Sequence, residues 1–88
     1  MVNFMQKKQT IDEEGMTIKY HANGKTIWSI GKIVNGLPEG YWQWFRIDGT
    51  IKRAGYFNQG IPCGTWTTFD QLGKPYKTTI LKDKVDLK

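Results

Sequence analysis

The sequence predicts an all-β protein, an antiparallel meander of about six strands arranged as three stacked β-hairpin repeats. Three observations carry this. The chain matches itself at a spacing of 24 to 25 residues. Glycines and prolines punctuate it at regular intervals. The segments between them are rich in Thr, Ile, Val, Tyr, Phe and Trp, which favour a pleated, half-buried surface. No window sustains a helical period.

The repeat is read from its glycines. Gly15, Gly40 and Gly64 open three units, and Gly24, Gly49 and Gly73 follow nine residues later in each. An aromatic lies between them at Tyr20, Phe45 and Phe69. Gly31 matches Gly55, Gly36 matches Gly60, and Trp42 matches Trp66. Leu37-Pro38-Glu39-Gly40 matches Ile61-Pro62-Cys63-Gly64. A period in this range indicates stacked supersecondary units. The positions that build the repeat are therefore Gly40, Trp42, Phe45, Gly49, Gly55, Gly60, Gly64, Trp66, Phe69 and Gly73.

Each unit reads as strand, tight turn, strand, wider turn. Asn23-Gly24 and Asp48-Gly49 predict two-residue type I′ turns, whose central positions both need φ > 0. Leu72-Gly73 stands in the same place in the third unit. Segments 36–40 and 60–64 predict the wider return turns. Their Pro38 and Pro62 lack an N–H and argue against a paired strand there. Strands are expected near 16–21, 26–34, 41–47, 51–58, 65–70 and 75–81, with short connections between chain neighbours. The chain divides into an N-terminal arm (1–14), the repeat domain (15–81) and a charged C-terminal tail (82–88).

The run Gly40-Tyr41-Trp42-Gln43-Trp44-Phe45, then Gly49, then Gly55-Tyr56-Phe57-Asn58-Gln59-Gly60, then Gly64-Thr65-Trp66 resembles the MORN-repeat variant. The resemblance covers about 15–81. The first unit is degenerate, with Met16 and Thr17 where Tyr41 and Trp42 stand, and Thr79 replaces the last glycine. Atypical end units suit the caps of a stack. The resemblance implies an elongated, curved single sheet and protein binding as the usual role. Bacterial proteins of this variant are often labelled antitoxin components, and MORN repeats have also been associated with membrane lipids.

Composition narrows the function. The chain has 88 residues and a net charge of +5. The arm and the tail are each balanced or nearly so, so the excess lies on the repeat array. A basic surface favours acidic partners. Cys63 is the only cysteine, so no intramolecular disulfide can form, and the lone thiol fits a reducing compartment. Gln6, Lys7 and Lys8 interrupt the N-terminal apolar run, and no stretch has the ~20 apolar residues that span a bilayer. The expectation is a cytoplasmic protein.

The chemistry of an enzyme is not visible. His21 is the only histidine and Ser29 the only serine. Neither they nor Cys63 form a nucleophilic motif. A structural zinc site needs four Cys/His ligands, so no metal and no cofactor is expected. The glycines are spaced for turns and not for a phosphate loop.

Period-2 alternation puts Trp42 and Trp44 on one face and Tyr41, Gln43 and Phe45 on the other. The third unit likewise sets Trp66 and Thr68 against Thr65, Thr67 and Phe69. Aromatics on both faces of one sheet leave one face to be covered or open. Val2, Phe4, Met5 and Ile11 of the arm are candidates to cover it. An open face would mark a partner site. Trp28 and Trp44 do not recur in every unit, so they are candidate contacts. Tyr56, Arg46, Lys52 and Arg53 join them, since Trp, Tyr and Arg dominate interface hot spots.

Lys25, Arg46, Lys52, Arg53 and Lys74 sit toward the tight-turn edge, as a basic rim or as protection of strand edges against aggregation. Two readings follow. One is a non-enzymatic protein-binding module, antitoxin- or inhibitor-like, that occludes an acidic partner protein. The other is a sheet for single-stranded nucleic acid, using bases stacked on rings and phosphates on cations. A lipid surface ranks third, and the open terminal strands allow homo-oligomerisation by strand pairing.

Overall fold

The computed structural model describes residues 9–81. These form one antiparallel sheet of seven strands in chain order. The strands are β1 (Gln9–Ile11), β2 (Met16–Tyr20), β3 (Ile27–Val34), β4 (Leu37–Phe45), β5 (Ile51–Asn58), β6 (Ile61–Phe69) and β7 (Pro75–Leu81). Every strand pairs with its chain neighbours. No helix among the described residues is long and apolar enough to cross a membrane.

The all-β meander is present, with one strand more than the glycine pattern marks. β1 comes from the segment assigned to the N-terminal arm, and its Ile11 is exposed. Val2, Phe4 and Met5 lie outside the described residues, as does the tail 82–88.

The turns exchange their expected places. Gly24, Gly49 and Gly73 have φ of +70°, +95° and +82°, but Asn23 and Asp48 do not adopt positive φ. The amides of Gly24, Gly49 and Gly73 donate to the carbonyls of His21, Arg46 and Asp70. This is a type I turn followed by a left-handed glycine, which accommodates a longer loop. The two-residue I′ turns lie at the other end. Asn35-Gly36 and Gln59-Gly60 have φ of +52°/+81° and +51°/+85°. They join Val34 to Leu37 and Asn58 to Ile61.

The return segments are therefore strand. Pro38 pairs with Ile33, and Pro62 with Phe57. A two-residue loop makes its flanking residues the hydrogen-bonded pair, so the next pair out is the non-bonded one. Pro38 and Pro62 occupy that place, so neither hairpin needs their N–H, and among the described residues the pairing with the next strand starts only at Gly40 and Gly64.

The core is thin. Among the described residues Trp42 and Ala54 are the buried hydrophobics, and Thr17 and Ser29 are buried as well. Tyr41, Tyr56, Leu72, Tyr76 and Ile80 are among the large side chains left exposed. The principal burial comes from a ring laid over a glycine. An added Cβ at Gly31 would lie 2.0 Å from the Trp42 indole, and one at Gly55 would lie 2.0 Å from that of Trp66. Only glycine lets the indole down onto the sheet. The pairing register jogs at these same points, between Ile30 and Lys32 and between Ala54 and Tyr56.

Candidate partner-binding face

Register places the functional side chains. Gln9, Lys19, Ser29, Trp44, Arg53, Thr68 and Lys77 pair successively from β1 to β7, forming one row across the sheet. Cross-strand partners share a face. Two residues along each strand, Trp42 pairs with Gly55 and Trp66 with Thr79, so both indoles share this face.

The rings pack on one another. Trp44 stacks between Trp42, at 6.0 Å and 29°, and Trp66, at 5.6 Å and 27°. Phe57 presents an edge-on contact to Trp66 at 5.3 Å and 90°, and lies 6.2 Å from both Trp42 and Trp44. Such stacked and edge-on arrangements suit the ring quadrupoles. The Trp66 Nε1–H donates to the carbonyls of Cys63, at 3.0 Å, and Tyr56, at 3.2 Å. The buried Trp42 Nε1 has no partner among the described residues.

Two recesses open on this face. A groove of about 470 Å³ runs beyond the tryptophans, bounded by Trp44, Phe57 and Trp66 on one side and Lys77, Thr79 and Leu81 on the other, with Arg53 and Thr68 between. A smaller recess of about 190 Å³ lies between Trp28, Trp44, Lys52 and Arg53. Trp44 and Arg53 border both, so the two recesses form one continuous surface.

The charge on this surface has one sign. The row carries Lys19, Arg53 and Lys77, and Lys52 adjoins it. Arg53, Lys52 and Lys77 are exposed. No described carboxylate lies here. Asp12, Glu13, Glu14, Asp48 and Asp70 stand outside the strands, and Glu39 pairs with Lys32 on the opposite face. The Glu39 carboxylate accepts a hydrogen bond from the Gln59 backbone N–H at 2.7 Å.

Trp28, Trp44, Lys52 and Arg53 are thus brought together, while two other candidates fall elsewhere. Tyr56 is on the opposite face, paired with Tyr41 at a ring distance of 5.1 Å. Arg46 is engaged by the scaffold. Its guanidinium donates to the carbonyls of Phe69 at 2.7 Å, Ile51 at 2.8 Å and Asp70 at 3.1 Å. It therefore ties the second unit to the third. His21 does the same one unit earlier, with Nε2 2.9 Å from the Phe45 carbonyl.

Phe57, Lys77 and Leu81 belong to the face as well; Leu81 follows Phe57, and Lys77 follows Arg53, by 24 residues, a similarity of character and not of identity. Trp28 is also less singular than its identity suggests. Trp28, Lys52 and Tyr76 are the extra residues where β3, β5 and β7 bulge, 24 residues apart. One structural position there carries three chemistries, which hides it from residue matching.

Among the described residues no cluster of His, Cys, Asp or Glu could hold a metal ion. No family model, curated protein or solved structure matches the chain.

Proposed function

We propose that the protein is a non-enzymatic binding module whose tryptophan face holds the acidic surface of a partner protein, antitoxin- or inhibitor-like in acting by occlusion. The carrying observation is the face itself. Trp28, Trp44 and Trp66 share it with Lys19, Lys52, Arg53 and Lys77, and no described carboxylate offsets them. Aromatic anchors among exposed cations favour a desolvated contact with complementary charge. The resemblance of 15–81 to the MORN-repeat variant points the same way.

The rings adjoin one another, Trp44 at 6.0 Å from Trp42 and 5.6 Å from Trp66, with Phe57 edge-on to Trp66. One contiguous aromatic patch of this kind suits the apolar centre of a protein interface.

Arg53→Glu with Lys77→Glu tests the reading, since both residues are exposed. The partner that the wild-type chain captures from its source cells should bind the double variant at least about tenfold more weakly, with unchanged circular dichroism. Equal affinity removes the reading. Tryptophan fluorescence titrated with a single-stranded oligonucleotide at ~50 mM salt checks the other class, and tight binding that falls steeply with salt would replace the protein partner by nucleic acid.

A further inference from the structure

The larger groove has a shape set by the repeat. One unit earlier, the corresponding space is filled by Trp66. Its indole lies over Gly55, stacks on Trp44, meets Phe57 edge-on and donates to the Tyr56 carbonyl. Advancing each contact by 24 residues gives Thr79, Thr68, Leu81 and the Ile80 carbonyl. Thr79, Thr68 and Leu81 all border the groove. The groove is therefore the berth that the ring of a next unit would fill. Beside it, β7 is a seven-residue strand paired only with β6 among the described residues.

We propose that an extended segment of the partner protein adds to β7 as an eighth strand and lowers an apolar side chain into this berth. The inference rests on the tryptophan face being the partner face. Strand addition supplies main-chain hydrogen bonds, and pockets for alternate side chains supply selectivity. A residue two places from the apolar one returns to the same face and meets Lys77, at the end of the row that also holds Arg53, so it is acidic. The segment is then an alternating strand that carries a carboxylate two residues from an aliphatic side chain.

Thr79 limits the aliphatic residue. A Cβ at Gly55 would collide with the indole seated there. Thr79 has that Cβ, so it bars a tryptophan seated as Trp66 is and leaves room for a smaller group such as leucine. The end of the array therefore selects against a copy of its own repeat.

The test uses the full chain and a capped synthetic peptide of alternating Thr and Val, with a central Leu and a Glu two residues to either side. Binding is followed by backbone-amide NMR. The β7 amides should shift and gain exchange protection. N-methylation of the peptide on alternate residues should weaken binding about tenfold or more, because the bonds to the edge are lost. Replacing the central Leu by Trp should weaken binding to the wild-type chain about tenfold. In Thr79→Gly that preference should reverse.

Equal binding of the N-methylated peptide, or an unchanged Leu preference in Thr79→Gly, overturns the proposal. So does exchange protection of β7 in the free protein that grows with its concentration, since a second copy then takes the edge. Failure of every peptide overturns strand addition alone. The face is tested separately by partner capture with the Arg53→Glu and Lys77→Glu double variant.

Discussion

Gly55 and Gly73 look alike in the sequence and do different things in the fold. Gly73 adopts φ of +82° with open space around it. Gly73→Ala should cost only the left-handed strain, about 1 kcal/mol. Gly55 lies beneath the Trp66 indole, where an added Cβ meets the ring at 2.0 Å. Gly55→Ala should cost about 3 kcal/mol, the upper end of overpacking, and urea denaturation of the two variants separates the effects. The spacing of Gly31 and Gly55 was visible in the sequence. The ring above each was not, because ring and glycine meet across strands. Asp48 is a second local device. Hydrogen bonds from the Thr50 amide, at 2.9 Å, and hydroxyl, at 2.7 Å, hold its pKa below the ordinary 3.8. A depressed folded pKa stabilises the fold above the unfolded value, and the contribution is lost as pH falls through the folded one. The Asp48 carboxyl should titrate below 3.8 by NMR. Asp48→Asn should remove that part of the acid dependence, and an acid limb of stability unchanged by the substitution would contradict the assignment.

At the scale of elements, the strands were legible and the turns were misplaced. Apolar and β-branched runs located most of the paired segments. Asn23-Gly24 and Asp48-Gly49 read as two-residue turns, yet the fold gives that role to Asn35-Gly36 and Gln59-Gly60. Turn type depends on how many residues the ladder leaves unpaired, which dipeptide chemistry does not specify. Pro38 and Pro62 deepened the error, because their tolerance depends on which side of the strand lacks a hydrogen bond. The contact between units was hidden as well. Arg46 reads as a surface cation and instead bonds carbonyls 23 and 24 residues onward. Arg46→Ala should cost about 2 kcal/mol, in the range of charge-assisted hydrogen bonds. Amide exchange should rise first in the Asp70–Lys74 turn. Equal acceleration throughout the sheet would show that the guanidinium holds the unit as a whole and not this junction.

Across the whole molecule, one face collects charge and rings that the sequence scatters over sixty residues. Alternation along single strands put Trp42 with Trp44 and Trp66 with Thr68, and that much was readable. The row from Lys19 through Trp44 and Arg53 to Lys77 follows only from the register of every intervening pair. Bulges shift that register in five of the ladders, so the row cannot be drawn from strand alternation, which by itself only turns Tyr56, three residues from Arg53 on β5, to the other face. The hydrogen bonds from Arg46 bear on a larger matter. The stretch from Arg46 to Phe69 brings its own turn, its own glycine under a ring and its own ring, and Arg46 meets the carbonyls of Phe69 and Asp70 as His21 meets that of Phe45. A tandem duplication of this stretch would find a matching neighbour on both sides, whereas one appended after Leu81 would meet Thr79 and Asp70, which fit neither ring nor clasp. Lineages could therefore lengthen the molecule from its middle, widening the area it presents while leaving both ends as they are.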